Sequence, residues 1–102
     1  MIAESAVRKA LEQVMDPELK KSLIQNAHTV LSLIRNKNPD KALELYEQIY
    51  KELPDDPNII NNYATIFSMK GEYTKAIKLF KKAFDLNKSK KIRVNLANTL
   101  LN

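Results

Sequence analysis

The stretch from residue 57 to 86 reads PNIINNYATIFSMKGEYTKAIKLFKKAFDL, and its apolar residues fall into two sets at helical spacing. Ile60, Tyr63, Ala64 and Phe67 make one stripe, and Ala76, Phe80, Ala83 and Phe84 make the other. Gly71 stands between them, where a helix would end in a left-handed residue. Asp56 followed by Pro57 reads as an N-cap with proline in the first turn. The pattern predicts a helix, a tight turn and a second helix, each with one apolar face. The small Ala64, Ala76 and Ala83 let the two helices approach closely, and the aromatics fill the remaining space.

Upstream, the same order recurs. Ala42 lies 34 residues before Ala76, and Tyr46 lies 34 before Phe80. Asn38-Pro39 starts a helix with the stripe Ala42, Tyr46, Ile49, Tyr50 and Leu53. Before it, a helix from about Pro17 to Asn36 carries Leu23, Ala27, Val30, Leu31 and Ile34. Ile34 to Ala42 is eight residues where Phe67 to Ala76 is nine, so the first hairpin's turn is one residue shorter. Its first helix is therefore shifted by one when faces are compared. Residues 3 to 15 form an amphipathic helix with Ala3, Val7, Ala10, Leu11 and Val14 on one face, read as the second helix of a degenerate leading repeat. Downstream, Ser89 caps a last helix with the stripe Val94, Ala97, Leu100 and Leu101, Val94 lying 34 residues after Ile60. Val94, Ala97 and Leu101 are expected to pack on the preceding helix, with Leu96 or Leu100 left partly exposed.

The central hairpin resembles a tetratricopeptide repeat, a helical hairpin with a period of about 34 residues. The family's order of large, large, small, aromatic, then Gly, aromatic, Ala, aromatic, Ala lands on Ile60, Tyr63, Ala64, Phe67, Gly71, Tyr73, Ala76, Phe80 and Ala83. The usual proline near the end of the repeat is replaced by Lys88. The resemblance implies an all-α fold, a short right-handed solenoid of about six antiparallel helices. It divides one domain, 1–102, into a leading cap and start of the second helix (1–22), repeat one (23–56), repeat two (57–88) and a half repeat or cap helix (89–102). It also implies a protein-interaction module or adaptor, because in this family the first helices line a concave groove. A second resemblance is shorter: Val7, Leu11, Val14 and Asp16-Pro17-Glu18-Leu19 are similar to the opening of the small α/β domain that precedes Mrp-type iron–sulfur carriers. No strand pattern follows it and the chain has no cysteine, so Asp16-Pro17 is read as a cap and proline between two helices.

Composition bounds the rest. A chain of 102 residues is one domain, and 44% hydrophobic content is enough for a core. Without cysteine there is no disulfide framework or thiolate metal site. No run approaches the roughly 20 apolar residues of a membrane span, and the N-terminus lacks a continuous apolar signal core, which makes the cytoplasm the default location. There is one histidine, no glycine-rich phosphate loop, no HExxH and no acidic calcium loop, so neither an enzyme nor a cofactor is expected.

Placing the three first helices in register gives three polar columns: His28, Asn61 and Asn95; Ser32, Thr65 and Thr99; Arg35, Ser68 and Asn102. Gln25 and Asn58 extend the edge, and Asn62 matches one polar position of the family's carboxylate-gripping groove. Ile92 and Leu96 stand where that grip needs cations, which argues against it. Amides and hydroxyls in rows can pair with both N–H and C=O of a peptide, so a protein or peptide partner is expected in this groove; the alternative is a merely solvated face. Charge is unevenly divided: residues 1–69 hold eight Lys/Arg and ten Asp/Glu (8 − 10 = −2), and residues 70–102 hold nine and two (9 − 2 = +7). Lys75, Lys78, Lys82, Lys90, Lys91 and Arg93 form a candidate basic patch. No aromatics interleave with it to stack on bases, so nucleic acid is the less favoured partner. Self-association through the terminal helix is the other alternative.

Overall fold

Proline placed directly after a capping residue opens three of the helices. The computed structural model describes residues 4–101, with side chains described from Val7 onward. It comprises α1 (Glu4–Leu11), α2 (Pro17–Arg35), α3 (Pro39–Glu52), α4 (Pro57–Met69), α5 (Tyr73–Leu86) and α6 (Lys90–Leu100), with no strand among the described residues. Asp16 Oδ1 accepts from the backbone N–H of Glu18 and Leu19, and Asn38 Oδ1 from that of Lys41, so the orphan donors of the first turns are satisfied by side chains. Asp56 does the same for Asn58 and Ile59 at 2.9 and 3.2 Å. Its second oxygen accepts from Gln13 Nε2 at 3.3 Å, which ties the end of the first segment to the start of α4. α1 is shorter than expected. After Leu11 the chain tightens into i→i+3 turns that carry the buried Val14 back onto the core. Ala3 and Asn102 lie outside the described residues.

Both hairpin turns end their first helix in the same way. Gly71 is left-handed at φ 88°, and the N–H of Glu72 returns to the carbonyl of Phe67 at 3.0 Å. In the first hairpin the left-handed residue is Lys37, at φ 58°, and Asn38 N–H returns to Leu33 O at 2.8 Å. Lys37 sits 34 residues before Gly71, and Arg35 and Pro39 sit 34 before Met69 and Tyr73, so the expected one-residue shortening of the first turn is corrected. The turn geometry is preserved where the glycine is not, and the register that pairs with Asn61, Thr65 and Ser68 is Ala27, Leu31 and Ile34. A side chain in this conformation costs about 1–2 kcal/mol.

α2 packs on α3, α3 on α4, α4 on α5 and α5 on α6, in chain order. Ala64, Ala76 and Phe80 form one buried group, and Ile60, Ala83 and Ile92 another, as the small residues of the central hairpin require. Between the hairpins stands an aromatic ladder: Tyr46–Tyr63 centroids are 5.9 Å apart, Tyr50–Tyr63 4.8 Å and Tyr63–Phe67 4.9 Å. Such pairs contribute about 0.5–1.5 kcal/mol each beyond burial.

Two further expectations are corrected. α1 packs on both α2 and α4, whose Cα atoms come no closer than 8 Å to each other among the described residues. A second helix of a repeat packs on its neighbours in the chain, as α3 does on α2 and α4 and α5 on α4 and α6. α1 instead reaches past α2 to α4, and Val7, Ala10, Leu11 and the following Val14 join the common core of the hairpins. In α6 the buried residues are Ile92 and Thr99, with Leu96 packed on the core, and not Val94, Ala97, Leu100 and Leu101, which are exposed. The register copied from Ile60 marks the face that a following helix would cover. α6 leans only on α5 and α4, so the opposite face is the buried one.

Candidate partner-binding face

The first helices bring the predicted columns together on one side and break them on the other. Between α4 and α6 the column holds: Asn95 Nδ2 donates to Asn61 Oδ1 at 3.0 Å. Asn61 is buried, however, at 2% exposure, and so are Asn62 and Thr99. These three are corrected from groove-lining to interior positions, Asn61 and Asn62 because α4 is covered on several sides at once, and Thr99 because it lies on the buried side of α6, which packs on α5 and α4. The amide pair is a clasp between neighbouring first helices. Thr65 Oγ1 donates to Asn61 O at 2.9 Å and Thr99 Oγ1 to Asn95 O at 2.8 Å, so both hydroxyl protons are spent on their own helices.

Towards α2 the columns do not continue, since at the 34-residue register Ala27, Leu31 and Ile34, not His28, Ser32 and Arg35, stand opposite Asn61, Thr65 and Ser68. Gln25, His28, Ser32 and Arg35 lie exposed on α2. Asn58 is exposed at the start of α4, beside Lys9, Ala10, Glu12 and Gln13 in an open cleft. Thr65, Ser68 and Asn95 are half-buried and form the remaining polar row of α4 and α6.

Next to Ser68 the row ends in a feature that periodicity did not reveal. Ile34, Lys37, Pro39 and Met69 line a mostly apolar hollow of about 290 Å³ where α2 ends and α3 begins. Met69 is 54% exposed. The signal was present in the numbering, since Lys37 stands at the register of Gly71.

The lysines divide into engaged and unengaged groups. Lys75 meets Glu72 at 3.4 Å and lies over the Phe67 ring. Lys82 Nζ donates to the Tyr50 hydroxyl at 3.3 Å, lies over that ring and faces Asp55. Lys82 thus ties the second hairpin to the first, while Lys75 stays within the second. Lys78, Lys90, Lys91 and Arg93 make no ion pair among the described residues. Lys70 bridges Asp40 at 2.8 Å and Glu72 at 3.3 Å, and those carboxylates, Asp40 first, hold its ammonium above the usual lysine range. Partial desolvation would raise the Glu72 carboxyl, yet the Lys70 and Lys75 ammonium groups outweigh it and hold the carboxyl below its ordinary value.

The family model described as tetratricopeptide repeat matches residues 33–83, half of the chain and nearly all of α3, α4 and most of α5. The chain belongs to the tetratricopeptide repeat family. Among curated proteins none matches it. The matched segment contains Gly71, the Ala64–Ala76–Phe80 packing and the Tyr46–Tyr63 ladder. The tetratricopeptide repeat is in general a protein–protein interaction module. No helix among the described residues is long and apolar enough to cross a membrane.

Proposed function

We propose that this tetratricopeptide repeat protein is an adaptor that holds a segment of a partner protein against the polar row of α4 and α6. The observation that supports the reading is the Asn61–Asn95 clasp. It fixes two first helices in register at 3.0 Å, so that Thr65, Ser68 and Asn95 stand on a rigid surface. Their unspent lone pairs, and the remaining amide hydrogen of Asn95, can meet the backbone of a bound chain. Rigid positioning lowers the entropy lost on binding, which is how a small surface gains affinity. The test is capture of partners by the full chain and by a Thr65→Val, Ser68→Ala variant that keeps the clasp. Loss of specific partners with an unchanged melting temperature supports the reading; identical capture by both proteins counts against it.

A second reading is self-association through α6, favoured by the exposed Val94, Ala97, Leu100 and Leu101 on that helix. Light scattering over a range of concentrations decides it. A constant monomer mass at high concentration would leave the adaptor alone.

A further inference from the structure

We propose that the hollow of Ile34, Lys37, Pro39 and Met69 is a subsite for one aliphatic side chain of a partner segment that carries acidic side chains beside it. The proposal rests on the adaptor reading, because the hollow lies at the Ser68 end of the α4 row. Its volume of about 290 Å³ falls at or below the bottom of the range for small-molecule pockets, about 300–1,000 Å³, and it suits a single side chain. Met69 is exposed and unbranched, the kind of residue that adapts to varied apolar guests.

The charges around the hollow select the guest's neighbours. The carboxylates at this end are already engaged: Asp40 and Glu72 by Lys70, and Glu44 by Lys41 at 3.5 Å. Lys37, on the wall of the hollow, has no ion pair among the described residues. A cation without a partner at an apolar opening complements a carboxylate beside the guest's apolar side chain.

The backbone supplies an independent reason to single out Lys37. At the same register the second hairpin uses Gly71, and both turns are left-handed. A glycine at 37 would relieve the backbone but remove both a wall of the hollow and one cation. The first hairpin carries a conformational cost that its sister avoids, and the lysine's place at the opening is what that cost secures.

The test is a selection from random heptamers displayed between fixed Gly-Ser flanks, so that no free terminus is offered, against the full chain. The proposal expects a consensus with a central Leu, Ile or Met and neighbouring Asp or Glu. An amidated peptide of that consensus should shift the methyl resonances of Ile34 and Met69, and should bind the Lys37→Glu variant roughly tenfold more weakly. Lys37→Gly is the control that cannot fail by misfolding: it should raise the melting temperature and weaken the same peptide. An empty selection, a consensus without acids, or equal binding by the charge-reversed chain overturns the subsite. Peptides that perturb Thr65, Ser68 and Asn95 but not Ile34 and Met69 also overturn it, and leave the adaptor reading standing.

Discussion

Tyr46 is the largest of the fully buried side chains, and its hydroxyl makes no hydrogen bond; the Asn62 Nδ2 is likewise buried without a partner. Burial pushes the phenol well above its ordinary range, and the nearby Asn62 amide only partly opposes this. The hydroxyl's desolvation is therefore only partly offset, and Tyr46→Phe should be neutral or stabilising by up to about 1 kcal/mol, against about 3–5 kcal/mol lost in Tyr46→Ala. Urea titrations of the two variants check this. The sign with pH follows: a phenol raised in the folded state above its ordinary value of 10.0 gives stability that is present below that value and lost as pH rises beyond it. Alkaline unfolding should begin near pH 10 and be shallower in Tyr46→Phe; equal slopes would remove Tyr46 as its cause. Asn61 carries the opposite lesson. The sequence shows it as one polar residue in a row of polar residues, which reads as surface, whereas the structure buries it and bonds it to Asn95. Asn61→Ala should cost about 1–3 kcal/mol by leaving Asn95 unpaired, and a melt that matches the parent would show that the clasp is not stabilising.

The buried face of α5 was legible because it packs as one stripe at Ala76, Phe80 and Ala83, whereas on α4 the stripe missed Ile59 and Ile66, which are fully buried in the core shared with the first hairpin. Ala76 and Ala83 are fully buried against α4, as their size predicts. Ala76→Leu should lose about 1–3 kcal/mol by overpacking, readable as a fall in melting temperature. α6 was legible as a helix and illegible in rotation, because periodicity defines a face only when the neighbour is known. Its copied stripe ends at Leu101, 86% exposed, while Ile92 is buried under α5. Ile92→Ala should therefore cost about 2–5 kcal/mol. Leu101→Ser should stay within about 0.5 kcal/mol. The reverse ranking by chemical denaturation would restore the copied register and overturn the packing of α6 described above.

At the scale of the whole molecule, a repeat array is expected to be held by nearest-neighbour interfaces, so that losing an end element removes only that element's own contacts. α1 departs from this. Its apolar face was legible at Val7, Ala10, Leu11 and Val14, but its place was not, because a stripe gives no address along the chain. Those four residues share one buried group with Leu23 and Ala27 of α2, Tyr46 and Ile49 of α3 and Ile59 and Ile66 of α4. The bond from Gln13 to Asp56 adds a polar tie between the same parts. α1 thus spans the first helices of two hairpins, whose Cα atoms come no closer than 8 Å to each other among the described residues. Removing residues 1–16 should uncover both hairpins at once and weaken the coupling between them. In the full chain, helical circular dichroism and the tyrosine fluorescence of the Tyr46–Tyr50–Tyr63 ladder should report one coincident urea transition, the mark of two-state unfolding. In the truncated chain the midpoint should fall, and the two probes should separate as the hairpins melt independently, with aggregation near the lower transition. Val7→Asp in the full-length chain reproduces the test without deletion, since an unpaired carboxylate in place of a fully buried valine would unseat α1 alone. If both altered chains keep the parent midpoint and coincident probes, α1 is an appendage and the array obeys the nearest-neighbour rule.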